Sequence, residues 1–188
     1  MSSPLVSFII PYYNAGSTIQ ETIDSIFNQS YSNFDVWLIN DGSSDQLSID
    51  KLKEFEGNSK VHILHQENAG PSVARNLAIQ RSSAKYILPL DADNTIIDDS
   101  LETFVKVAEN NDRIDAVHGD FIYFGKKEGY HKGGPFNPFK SFMMSQIDTC
   151  ALIKKSVFDR GISYDLFLSK PGLEDWEFWI NFHSNGCA

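Results

Sequence analysis

Asp91 and Asp93 stand one residue apart, directly behind the apolar run at 86–90. In an extended segment, residues two apart point to the same side, so both carboxylates can face one cavity. Two close carboxylates repel each other unless a cation sits beside them. Oxygen ligands of this kind suit Mg²⁺ or Mn²⁺, which leave positions open for diphosphate oxygens. A solvated acidic turn would carry the same three letters. Placement right after the buried stretch Leu88-Pro89-Leu90 favours the site.

Three other apolar runs end in polar clusters. Pro11, Tyr12, Tyr13 and Asn14 follow the run at 6–10, Asp41 follows 34–39, and Asn68 and Gly70 follow 61–64. Ligands of an open parallel sheet bind outside the carboxyl ends of its strands, which is where these clusters fall. Tyr12 and Tyr13 could stack on a base or pack against the sheet, packing being the commoner fate for at least one. Arg75, one turn into the helix opened by Gly70-Pro71, is either a surface residue or a partner for a carboxylate or nucleotide. Glu174-Asp175 starts an amphipathic segment where acidic residues suit the helix dipole. A general base acting on a hydroxyl would look the same.

The elements that must hold these residues alternate. Strands are expected at 6–10, 34–39, 61–64 and 86–90, then at 116–124 and 149–153. Helices fall between them at about 17–27, 47–55, 71–80 and 100–109, the first behind a capping box at Ser17/Gln20 or Thr18/Glu21. Such alternation predicts an α/β fold with a mainly parallel central sheet and helices on both faces. The polar segment 126–138 reads as a mobile surface loop. A last helix, 174–184, places Trp176, Trp179, Ile180 and His183 on one face.

At 188 residues the chain has the length of a single domain, and its 41% apolar content supports a packed core. A net charge of −9 argues against nucleic acid or an anionic membrane as the main partner. It also means that phosphate chemistry here needs a cation. Cys150 and Cys187 match no zinc or disulfide pattern. No run approaches a transmembrane length and none reads as a signal peptide, so the expected location is cytoplasmic, with room for peripheral attachment at the inner face of the membrane. Neither a Gly-x-Gly-x-x-Gly after the first strand nor a Walker-type Gly-Lys-Ser/Thr occurs, which disfavours dinucleotide binding and P-loop chemistry.

Taken together, Ile10-Pro11-Tyr12-Tyr13-Asn14, Asn40-Asp41-Gly42-Ser43-Ser44-Asp45, Asn68-Ala69-Gly70 with Ala74-Arg75-Asn76, Leu90-Asp91-Ala92-Asp93 and Glu174-Asp175-Trp176 resemble the family 2 glycosyltransferases over about 6–182. These are inverting enzymes with the Rossmann-like GT-A fold. The resemblance implies a nucleoside diphosphate sugar donor, with uracil as the usual base of the family, and a saccharide or other hydroxyl acceptor in polysaccharide or glycoconjugate synthesis. It implies that Pro11, Tyr12, Tyr13 and Asn14 line the nucleotide pocket and that Asp41 bonds the base, with Gly70 and Arg75 nearby. Asp91 and Ala92 would meet ribose or sugar, Asp93 would hold Mn²⁺ or Mg²⁺, and Asp175 would be the catalytic base.

Family members continue past the position of Gly186 into elements that shape the acceptor site. The resemblance therefore implies a piece of a longer chain, with a nucleotide-binding half at about 1–125 and a partial acceptor-side region at about 126–188. A donor-binding fragment without transfer activity is the alternative. A sugar nucleotidyltransferase would carry a Gly-rich basic loop where this chain has Tyr-Tyr-Asn, and a phosphatase would place its Asp pair after the first strand.

Overall fold

Every residue of β1 (Val6–Tyr12) except Pro11 is buried, as a central strand covered on both faces requires. The computed structural model describes residues 4–125, 128–134, 137, 140, 145–167 and 172–188. In it β2 (Phe34–Asp41) and β4 (Tyr86–Pro89) flank β1 in parallel, and β3 (Val61–Gln66) extends the sheet beyond β2. On the other side β8 (Ala151–Lys154) runs antiparallel between β4 and β5 (Ala116–His118). The resulting order is β3-β2-β1-β4-β8-β5. Strand order reverses between β1 and β4, and the crevice at their carboxyl ends is where such sheets bind ligands.

Alternation along β1 divides the core. Val6, Phe8 and Ile10 meet α1 (Ile19–Phe27), α2 (Gln46–Phe55) and α4 (Ser100–Glu109) on one face. Ile9, with Ile87 and Ile153, meets α3 (Pro71–Arg81), α5 (Lys155–Asp159) and α6 (Glu174–Ser184) on the other. The expected α/β architecture with helices on both faces is present.

Four local expectations change. No capping box forms at α1; the Thr18 hydroxyl instead donates to the Ala92 carbonyl at 2.8 Å, tying the helix start to the Asp91–Asp93 segment. The stretch 116–124 is not one strand. It breaks at Gly119-Asp120, and β6 (Phe121–Tyr123) pairs antiparallel with β7 (Gly129–His131) in a separate hairpin. Asp120 fixes that departure by accepting bonds from Gly133 N at 2.7 Å and from the Tyr130 hydroxyl. Part of the expected loop at 126–138 is thus strand, while 126–127, 135–136 and 138 lie outside the described residues. On α6 the buried face is Phe178, Trp179 and Phe182, because Phe178 stacks on Tyr164 at 4.6 Å and so turns the helix past the expected face. Both cysteines are free thiols. Among the described residues no helix is long and apolar enough to cross a membrane.

Gly16 sets how closely the loop after β1 approaches α2. Its N–H donates to Ser48 Oγ at 2.8 Å, and a Cβ built on it would lie 2.7 Å from Ser48 N and 2.8 Å from the Leu47 carbonyl carbon. Both are backbone atoms that cannot swing aside. Gly16→Ala should therefore cost about 1–3 kcal/mol, the scale of overpacking. Chemical denaturation of the two proteins measures it, and equal midpoints and slopes would show that the loop gives way.

Candidate functional site

Asp91, Ala92 and Asp93 lie on a turn, closed by a bond from Asn94 N to the Asp91 carbonyl at 3.1 Å, and not on extended chain. The two carboxylates still border one cavity of about 530 Å³, but they have different surroundings. Asp91 points to Arg75, whose Nη2 donates to its Oδ1 at 2.7 Å. Asp93 is exposed. Ala92 is buried between them, its carbonyl held by Thr18.

Arg75 is the centre of the site. Its side chain is 2% exposed, on the inner face of α3, and it binds three carboxylates. Besides Asp91, its Nη1 donates to Glu174 Oε1 at 3.2 Å and lies 3.4 Å from Asp175 Oδ1. The Tyr164 ring lies 5.2 Å from the guanidinium carbon. Burial by itself lowers the Arg75 pKa, and the charges of Asp91 and Asp175 reverse this and raise it. Of the two readings open from sequence, surface residue or partner, Arg75 is the partner.

Asp175 is held from a second side. Thr149 Oγ1 donates to its Oδ2 at 2.6 Å, while Oδ1 accepts no hydrogen bond among the described residues. Burial raises its pKa above the usual carboxylate range, against the lowering influence of Arg75 and Thr149. Glu174, beside it, is buried on Arg75 and so does more than complement the helix dipole.

The other strand ends shape the opposite wall. Asp41 is buried; its Oδ1 accepts from Ala69 N at 2.8 Å and Gln66 Nε2 at 2.7 Å, and its Oδ2 from Gly70 N at 2.9 Å. Three of about four acceptor positions are therefore engaged within the protein, leaving at most one toward the cavity. Gly70 caps α3 with φ 94°, a conformation open to glycine, and turns its N–H to Asp41. Tyr12 is fully buried with its hydroxyl on the Ser48 carbonyl, whereas Tyr13 is 52% exposed. Packing claims the first tyrosine and leaves the second at the cavity. Asn14 directs its side chain away, accepting from Ser44 N at 2.9 Å, so it braces the loop after β2 while its backbone and Pro11 line the cavity.

Every predicted residue but Gly70 borders this cavity, and the Asn14 amide serves the neighbouring loop. Thr18, Thr149 and Tyr164 were missed: each is a common residue type, and what makes it part of the site is a long-range bond without local signature. Among the described lining residues, Asp41, Asp91, Asp93, Glu174 and Asp175 face one basic side chain, Arg75. Among the described residues no three His, Cys, Asp or Glu converge into a metal cage. One exposed carboxylate on an acidic wall does fit a Mg²⁺ or Mn²⁺ that completes its shell with water and diphosphate oxygens.

Removing Arg75 leaves three carboxylates facing one another. Arg75→Met should lose about 2–4 kcal/mol at neutral pH, less than for a fully enclosed pair because Asp91 and Asp175 keep partial exposure. Asp175, whose pKa burial already raises, then loses the lowering influence of Arg75, so its folded pKa stands further above the unfolded one. Protonation thus favours the folded variant, and its deficit should shrink as pH falls. Urea unfolding at about pH 7 and about pH 5 checks the sign; a deficit that grows on acidification would show that Arg75 does not hold these charges.

Residues 7–162 match the family model for Glycosyl transferase family 2. An uncharacterized glycosyltransferase of Rickettsia felis is 32% identical over 183 residues, covering 95% of this chain and 30% of the relative. Glycosyltransferase GlyG of Streptococcus pneumoniae is 30% identical over 128 residues, covering 68% of this chain and 42% of its own. Among solved structures, S. aureus TarS 1–349 in complex with UDP superposes with a TM-score of 0.73 at 20% identity, over 92% of this chain and 53% of that one. Mannosyltransferase PcManGT from Pyrobaculum calidifontis, in complex with GDP-Man and Mn²⁺, gives 0.68 at 18% identity, over 95% and 51%. At such identity the superpositions speak for the fold. The chain thus spans less than half the length of either of these curated relatives. With the family match covering most of its length, the chain belongs to glycosyl transferase family 2 and has the GT-A fold.

Proposed function

We propose that this domain binds a nucleoside diphosphate sugar, with UDP as the nucleotide, and transfers the sugar to an acceptor hydroxyl with inversion. The observation that carries the reading is one cavity that joins an exposed carboxylate, Asp93, to a half-buried carboxylate of raised pKa, Asp175. TarS in complex with UDP and PcManGT with GDP-Man and Mn²⁺ support a donor of this class. Tyr13 offers an exposed ring for a base, and the remaining acceptor position of Asp41 suits an imide N–H.

In this reading residues 1–125 supply the donor wall, and 126–188 supply the acceptor-side groups Thr149 and Asp175. Asp175 takes the proton of the acceptor hydroxyl as the hydroxyl oxygen forms a bond to the anomeric carbon. The anomeric carbon–oxygen bond to the diphosphate breaks on the opposite face, and the leaving oxygen keeps the electron pair. Asp93 would hold the Mn²⁺ or Mg²⁺, whose charge offsets that developing on the diphosphate. A single displacement inverts the centre. A donor-binding domain without transfer activity is the second reading, and Asp175 separates the two.

Asp93→Ala should weaken UDP binding in Mn²⁺ by about 10- to 100-fold, the scale of a lost charge-assisted contact, and change metal-free binding little. Titration calorimetry decides this; equal losses in both conditions would remove Asp93 from the metal.

Asp175→Asn should keep donor affinity and slow sugar transfer by about 10²- to 10⁴-fold. Only the ionised carboxylate acts, so the wild-type rate should climb with pH through a value above that of an ordinary aspartate. Thr149→Val removes a bond that lowers the Asp175 pKa, so the acidic limb should move to higher pH with donor affinity unchanged. A limb that stays in place would detach Asp175 from the rate.

A further inference from the structure

The chain from Ala92 to Ile96 is fastened to α1 at both ends. At one end Thr18 Oγ1 donates to the Ala92 carbonyl at 2.8 Å. At the other, Ile96 N donates to Ser25 Oγ at 3.1 Å, and Gln29 Nε2, just past the helix, donates to the Ile97 carbonyl at 3.0 Å. Asp93 lies in the arch between these fastenings. We propose that Thr18 is a positioning residue: acting through the Ala92 carbonyl, it holds Asp93 where a divalent cation and a nucleoside diphosphate meet. This role rests on the donor reading above, and it gives α1 control over how firmly the cation is held.

The arch has little slack. Thr18 and Ser25 are seven positions apart, so they project from one side of the helix about 10 Å apart along its axis. Four residues from Ala92 to Ile96 can span at most about 14 Å. The turn closed by Asn94 N on the Asp91 carbonyl uses part of that length. An arch this short, fixed at both ends, leaves the Asp93 backbone few alternatives, although the residue is exposed. A carboxylate that is ordered before its cation arrives gains affinity, because folding has already met the ordering cost.

The fastening groups are committed to this task. Thr18 has one hydroxyl hydrogen, and the Ala92 carbonyl at 2.8 Å is a nearer acceptor than the Ala15 carbonyl at 3.2 Å. Ala92 is buried, so loss of that donor would leave a carbonyl with little access to water. Ser25 donates to the Thr22 carbonyl at 2.7 Å while accepting from Ile96. Buried Gln29 also accepts from Leu101 N at 3.0 Å, which satisfies a free N–H at the start of α4. Among the described residues that line the donor cavity Thr18 is present and Ser25 is not. An effect of Ser25 on the cation would therefore travel through the arch.

The test is titration calorimetry of UDP with and without Mn²⁺. Thr18→Val should weaken binding in Mn²⁺ by about three- to tenfold, the scale of one neutral hydrogen bond, and change metal-free binding little. Thr18→Ser keeps the hydroxyl and should stay close to the wild type. Ser25→Ala, outside the cavity, should show the same split as Thr18→Val. In a chain that already carries Asp93→Ala, Thr18→Val should change nothing, because the carboxylate it positions is gone. A Thr18→Val loss equal with and without Mn²⁺, or one that persists in the Asp93→Ala chain, would overturn the role of Thr18. If Mn²⁺ does not strengthen UDP binding by the wild type, the metal reading of Asp93 itself falls, and the role of Thr18 falls with it.

Discussion

A guanidinium with 2% exposure keeps its charge only where carboxylates stand close enough to replace the water it has lost. Arg75 meets that condition with groups from two distant places, Asp91 after β4 and Glu174-Asp175 at the start of α6. The converse holds for the acids. Each of them, without Arg75, would face the others across a small space. These three elements, α3, the turn after β4 and α6, can approach this closely because one cation offsets part of the mutual repulsion of three carboxylates. An apolar cluster of equal volume could join the same elements with less desolvation. What it could not provide is a row of carboxylates whose surroundings depend on position.

That dependence distinguishes the two ends of the row. Asp91 is paired and Asp175 is shared between Arg75 and Thr149, with burial raising its pKa. Asp93 stands outside the cluster in solvent. Similar side chains thereby acquire different abilities, one set as a structural partner, one able to take a proton, and one open to a cation.

Strand ends were legible because apolar runs stop abruptly at turn-forming residues, as at Asn40-Asp41-Gly42 and Leu90-Asp91. Parallel architecture followed from alternation, and the sheet order places those ends together. What the periodicities could not convey was direction. Asp91 and Asp93 were expected to share an orientation on extended chain, yet a turn sends one inward and leaves the other outside. Likewise 116–124 reads as one apolar strand, since nothing local reveals that Asp120 binds Gly133 and Tyr130 and draws the chain into a hairpin. Arg75 was undecidable locally because its burial depends on residue 174, ninety-nine positions away. The long-range bonds of Thr18 and Thr149 were invisible for the same reason.

The acidity that made the composition unusual acquires a location in the structure. Five carboxylates line the cavity against one guanidinium among the described residues. A diphosphate is repelled by this arrangement unless a divalent cation accompanies it, so nucleotide and metal would bind there as a unit. The surplus of negative charge thus sets a condition on the cavity: a phosphorylated compound that enters it would have to bring a cation along, and Asp93, exposed at its edge, is the carboxylate placed to meet that cation.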